Sequence, residues 1–234
     1  MIKSGYPFYG QKVGILVFDQ KTARLPGDPG HNSTFDFPVC YEVVEGRFLD
    51  LINGSDKIKE KLTAAVSRLR DKGILSIVGD CGLMALYQTE MAVEAGGPVF
   101  TSALLMIPLV WQLIGRRRKI GVLTGHAGYL SEAHLRASGW SEEIALEVQG
   151  MECEPHFSDA VINGITSPNR DDMKRDVLNA MDKLMMKGEV SAVIVECSNL
   201  ATYSADIAEG YGIPVFDVVC GARLMHDCVD PRRW

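Results

Sequence analysis

The sequence has no apolar run approaching the ~18 residues of a membrane-spanning helix. Its longest apolar stretch, ALLMIPLVWQLI at 103–114, is shorter and carries Pro108. The amino end, MIKSGYPFYGQKVGILVFDQ, has no extended apolar core of the kind a secretory leader needs. These two absences lead us to expect a cytoplasmic protein with no membrane partner. No C-x-x-C pair occurs among the six cysteines (40, 81, 153, 197, 220, 228), which removes zinc ribbons and thioredoxin-type redox motifs. Without an export signal the cysteines are expected to be reduced thiols. Cys220, His226 and Cys228 fit no common metal spacing, so no metal site is expected. Neither G-x-x-x-x-G-K-[ST] nor G-x-G-x-x-G is present, which fits an activity that needs no cofactor. Positive charge is scarce as well. With 24 Lys and Arg against 30 Asp and Glu, the net charge of −6 argues against nucleic acid as a partner. The one basic cluster, Arg116-Arg117-Arg118-Lys119, is short and reads as a solvated turn.

What is present is an ordinary globular composition, 47% hydrophobic and 23% charged, in a chain of 234 residues that is long enough for a sizeable core. Short β-branched runs alternate with longer amphipathic ones. Strands are expected at 12–18, 40–45, 73–78, 98–101, 119–124, 143–149, 191–196 and 213–216. Helices are expected at 56–71, 82–95, 103–114, 128–138, 170–187 and 200–210. Strands that are apolar throughout, with helices between them, imply parallel sheets covered on both faces.

An internal repeat organises these elements. Residues 79–100, GDCGLMALYQTEMAVEAGGPVF, align without gaps onto 195–216, VECSNLATYSADIAEGYGIPVF, at a shift of 116 positions. Asp80 meets Glu196, Cys81 meets Cys197, Tyr87 meets Tyr203, Gly96 meets Gly212, and PVF meets PVF. The expected fold is therefore α/β, with two pseudo-twofold-related Rossmann-like lobes and an active site in the cleft between them. Each lobe is a small parallel sheet flanked by helices. One lobe is placed at 1–112 plus 213–234 and the other at 113–212. The repeated tyrosines are expected to pack at the lobe interface.

Ligands of open parallel sheets bind beyond the carboxyl ends of the strands. Cys81 and Cys197 each follow a strand at that end and precede a helix, a position that favours thiolate. Asp80 and Glu196 beside them either oppose a thiolate or face away and pin the following loop. A cysteine after a buried strand is usually only a small hydrophobe. A packing cysteine, however, has no reason to recur at the equivalent place in both halves. Two thiols facing one cleft can remove a proton from one face of a carbon and return it to the other. Backbone N–H groups and side chains at Gly82, Ser198 and Asn199 are placed to hold the charge that builds on the substrate. The loop GDPGHNSTFDF (27–37) is either an active-site cover with His31 as a polar tip or a surface turn.

The motifs VGDCG (78–82), VECSNL (195–200), GIPVFD (212–217) and VGILVFD (13–19) resemble the aspartate/glutamate/hydantoin racemase superfamily over nearly the whole chain. The stretch LPGDPGHNSTFDFPVCYEVVEG (25–46) resembles the branch that includes algal lyases of dimethylsulfoniopropionate and unassigned bacterial proteins. The resemblance implies a two-lobed fold with Cys81 and Cys197 as a catalytic pair and no cofactor. It implies substrate-binding roles for Asp19 and Thr124, a small carboxylate substrate, and a homodimer or higher homo-oligomer. Gly82-Leu83 and Ser198-Asn199 stand where the amino-acid racemases typically carry Asn-Thr and Thr. CSNL is more like the CTNL of maleate isomerases. The expected activity is that of a racemase or isomerase acting next to a carboxylate or carbonyl. The alternatives are a carbon–sulfur lyase using the same carbanion, or a non-catalytic small-molecule binding protein.

Overall fold

The strand runs of the sequence assemble as two four-stranded parallel sheets in a computed structural model, which describes residue 5 and residues 8–233. The first contains β1 (Val13–Phe18), β2 (Val39–Val44), β3 (Ser76–Gly79) and β4 (Val99–Phe100), in the order β2-β1-β3-β4. The second contains β5 (Lys119–Thr124), β6 (Leu146–Gly150), β7 (Val190–Val195) and β8 (Val215–Phe216), in the identical order β6-β5-β7-β8. Around them lie α1 (Phe48–Ile52), α2 (Asp56–Asp71), α3 (Gln88–Ala95), α4 (Ile107–Leu113), α5 (Glu132–Ala137), α6 (Pro155–Phe157), α7 (Arg170–Met186), α8 (Ser204–Tyr211) and α9 (Val218–Val229). Among the described residues no helix is long and apolar enough to cross a membrane.

Strand alternation explains how two sheets share one molecule. Val13 and Ile15 of β1, Val78 of β3, Ile120 and Val122 of β5, and Ala192 and Ile194 of β7 point into one central core, joined there by Leu104, Ile107 and Val110. The alternate residues face outward. Leu16, Phe18 and Ile77 meet α2 and α3 in one outer core, and Leu123, Val193 and Val195 meet α7 in the other. Tyr87 and Tyr203 belong to these two outer cores and not to the lobe interface, because a helix laid on the outer face of its own sheet turns that position away from the partner lobe.

The repeat is exact at the level of backbone. A six-residue 3-10 turn at Gly82–Tyr87 leads into α3, and one at Ser198–Tyr203 leads into α8. The expected single helices are thus each split, because Met84 N–H bonds to Cys81 O and Leu200 N–H to Cys197 O in the tighter i→i+3 pattern. Both helices end on a left-handed glycine, Gly96 (φ 55°) and Gly212 (φ 64°), which fixes the recurrence of glycine there.

Three helices, α1, α6 and α9, were not expected. α1 is only five residues long, too short to show a helical period. α9 is capped by Asp217, whose carboxylate accepts from Cys220 N–H at 2.7 Å. It buries Val218, Ala222 and Met225 in the central core, and Gly221 leaves room for the Phe100 ring of β4. β8 hydrogen-bonds to β7 in the second sheet, whereas the sequence division grouped residues from 213 onward with the first lobe. Arg116, Arg117 and Arg118 are exposed in the turn before β5.

Candidate active site

Cys81 and Cys197 stand at the N-cap positions of the two 3-10 turns, immediately beyond the carboxyl ends of β3 and β7. The backbone there is extended, and it hands each sulfur to the N–H two residues on, that of Leu83 or Asn199. Both cysteines line one cavity of about 200 Å³. Its wall also includes Phe18, Gln20, Phe48, Asp80, Gly82, Thr124, Gly125, His126, Tyr129, Phe157, Glu196, Ser198 and Asn199.

The two acids occupy matching sockets. The Asp80 carboxylate accepts from Phe18 N–H at 2.9 Å, where β1 ends. Glu196 accepts from the Thr124 hydroxyl at 2.7 Å and from Gly125 N–H, where β5 ends. Each acid therefore ties the loop of its cysteine to the neighbouring strand. The lobes differ in what neutralises the charge. Asp80 is paired with Arg24 at 2.7 Å, while among the described residues Glu196 accepts from the neutral donors Thr124 and Gly125. Burial raises both carboxyls, Asp80 to about 6 despite Arg24 and Phe18 N–H.

Against the pull of the helix ends toward thiolate, the arrangement works the other way. Burial pushes both thiols well above the ordinary cysteine range, and the Glu196 carboxylate pushes them further. One N–H from Leu83 or Asn199 does not offset that.

Of the residues singled out from the sequence, Cys81, Gly82, Thr124, Cys197, Ser198 and Asn199 all line the cavity. Asp19 does not. Its side chain is exposed, while its neighbours Phe18 and Gln20 reach the wall. His31 lies off the cavity with its ring bonded to Ser33. Thr124 is committed to Glu196, and Asn199 donates its amide to Asp28 at 2.9 Å. Sequence reasoning missed Arg24 and Asp28, which lie just before and within the 27–37 loop. It missed the aromatic wall too: Phe18 against Phe48, Phe48 against Tyr129, and His126 stacked on Tyr129 with ring centroids 3.9 Å apart. No periodicity signals such residues, because they meet only through the fold. Among the described residues no group of three or more His, Cys, Asp or Glu is placed to hold a metal ion.

Two parallel sheets of like strand order bring the two cysteines to one cavity, and solved structures share this fold. The chain superimposes on unliganded arylmalonate decarboxylase with a TM-score of 0.60 at 14% identity, covering 95% of this chain and 93% of that one. It superimposes on glutamate racemase of Francisella tularensis in complex with D-glutamate with a TM-score of 0.56 at 12% identity, covering 94% and 81%. The fold is that of the aspartate/glutamate racemase and arylmalonate decarboxylase group, as the sequence motifs implied. No family model matches the chain. Curated proteins of similar sequence include the dimethylsulfoniopropionate lyase of Durusdinium sp. clade D, 25% identical over 90% of this chain and 72% of that protein. Dimethylsulfoniopropionate lyase 3 of Emiliania huxleyi is 25% identical over 94% of this chain, which spans 61% of that longer relative. The similarity thus runs to enzymes, both lyases and racemases, and falls in the branch that the 25–46 stretch resembled.

Proposed function

We propose that this protein is a cofactor-independent carbon–sulfur lyase that uses Cys81 and Cys197 to abstract a proton next to a carboxylate and expel a neutral sulfide from the adjacent carbon. The observation that carries this is the character of the cavity. Both cysteines sit in a space bounded by Phe18, Phe48, Tyr129 and Phe157, with two buried carboxylates and, among the described residues, no lysine or arginine on the wall. An amino-acid anion finds no cation there. A sulfonium group finds aromatic faces and negative charge, which attract cations. The substrate carboxylate is left to the backbone N–H groups that open the two 3-10 turns, near Gly82 and Ser198.

The chemistry balances without a further reactant. A thiolate takes the proton from the carbon beside the carboxylate. The electron pair left behind forms a carbon–carbon double bond as the neighbouring carbon–sulfur bond breaks. The sulfide departs neutral with the bond pair, and the product is an unsaturated acid. Dimethylsulfoniopropionate has this constitution and is the first substrate to test. Incubation in D2O with NMR detection should give acrylate and dimethyl sulfide. Deuterium wash-in to aspartate or glutamate without elimination would replace this reading with racemisation, which the matching positions of the two cysteines in the two lobes also support. Neither result, with tight binding of one compound, would leave a binding protein.

The raised thiols dictate the pH profile. A thiol pKa above the ordinary value of about 8.5 leaves little thiolate at pH 7, and each pH unit below the pKa increases it about tenfold. The value of kcat/KM, which reports the free enzyme, is therefore expected to climb with a slope near one in log units from about pH 7 to 9. A bound sulfonium lowers the thiol pKa by opposite charge, so the limb in kcat falls at lower pH than the limb in kcat/KM. Initial rates across that range with dimethylsulfoniopropionate check both.

A further inference from the structure

The two cysteines are equivalent by repeat but not by surroundings. Leu83 follows Cys81 by two residues, and Asn199 follows Cys197 by two. Only the second half-site therefore has a side-chain carbonyl beside its sulfur. The Asn199 Oδ1 faces Cys197 Sγ at 3.9 Å, a range in which a sulfhydryl donates weakly. An Asn amide has two faces, and what selects between them here is Asp28. Its Oδ2 lies 2.9 Å from Asn199 Nδ2. A carboxylate only accepts, so it holds the NH2 end and turns the carbonyl toward the sulfur.

Asp28 is itself fixed from several directions. It is 1% exposed. Its Oδ1 takes Arg24 Nη1 at 2.9 Å and Gly30 N–H at 2.7 Å, and its backbone O takes the Thr34 hydroxyl at 2.5 Å. Arg24 continues to Asp80, the residue before Cys81, at 2.7 Å. The chain Asp80–Arg24–Asp28–Asn199 thus runs from one cysteine loop to the other, with its middle supplied by the segment between β1 and β2. The loop is packed to reach across: a Cβ at Gly27 would stand 2.7 Å from Thr202 Cα, next to α8.

We propose that Asp28 is a positioning residue for Cys197: by orienting the Asn199 amide it gives the Cys197 sulfhydryl an acceptor and fixes how that sulfur is presented to the cavity. This rests on the two cysteines being the reacting pair. Glu196 and Asp28 raise Cys197 and Arg24 lowers it, with Cys81 across the cavity. The groups bearing on Cys81 are Glu196, Asp80 and Cys197. Asp28 therefore acts on one thiol and Glu196 on both.

The test is site-resolved iodoacetamide labelling of the full-length protein, with peptide mass spectrometry reading Cys81 and Cys197 separately from pH 7 to 10. Asp28→Asn removes a negative charge, frees Arg24 and releases Asn199, and all three changes make Cys197 more acidic. Its labelling at pH 8 is expected to rise by about three- to tenfold, the size of one lost hydrogen bond, while Cys81 changes less than about twofold. Asn199→Ala, which leaves Asp28 and Arg24 in place, is expected to move Cys197 in the same direction. Glu196→Gln is expected to quicken both cysteines. An unchanged Cys197 in both Asp28→Asn and Asn199→Ala, or equal rises at both cysteines in them, would overturn the proposal. Labelling does not use turnover, so a protein that turns over none of the compounds above can still support or refute this assignment.

Discussion

Cys81→Ser is expected to lower turnover of dimethylsulfoniopropionate by about a thousandfold or more, within the range that a positioned general base contributes. Serine keeps the shape of the side chain and its place at the N-cap, but its hydroxyl does not ionise near neutral pH. The α-proton should then stay in place, so both acrylate formation and deuterium exchange should disappear together. Cys197→Ser is expected to slow turnover by at least about a hundredfold, within the same range, because the proposed chemistry uses both cysteines. Neither change should cost much stability. Both side chains are half-buried and isosteric with serine, which keeps the change in unfolding free energy within about 1 kcal/mol. Thermal unfolding and NMR on the same samples separate a lost base from a lost fold. Two variants with full activity would remove the cysteines from the mechanism altogether.

Gly82→Ala is expected to have the next largest effect, and its cause is geometric. A Cβ at residue 82 would land on Glu196 Oε1 and stand 2.5 Å from the Glu196 backbone O. The backbone of the second lobe is thus in the way as well as a flexible side-chain end. Either the Cys81 turn or the Glu196 strand end has to move. Overpacking of this kind costs roughly 1–3 kcal/mol. The movement falls on the residue next to Cys81, and an error of about 1 Å in a reacting group costs on the order of a hundredfold in rate. Activity is therefore expected to fall much further than stability, which denaturant unfolding and turnover would show side by side.

The parts of this molecule that were legible in the sequence are those set by local chemistry. The apolar strands, the two PVF edges and the recurrence of cysteine, tyrosine and glycine at a fixed shift all report backbone states that neighbouring residues impose. The helices that follow the cysteines were placed to within a few residues, though their first turns are 3-10. α9 was missed, although Asp217 marks its start and apolar residues recur at 218, 222 and 225, because Gly221 reads as a helix breaker until Phe100 is seen against it. Arg24 and Asp28 were illegible for another reason. Their partners lie 56 and 171 residues away, and nothing in the local pattern marks a loop residue that will be buried.

By itself, then, the sequence determined two like α/β units and a cysteine at the carboxyl end of the same strand in each. Hydrophobic period and turn glycines act over a few residues and need no partner lobe. Only the tertiary structure decided the surroundings of those cysteines. A helix end alone would favour thiolate at each. The closing of two lobes around a cavity of about 200 Å³ buries both sulfurs beside Glu196, and in that enclosed space burial and like charge outweigh one backbone N–H.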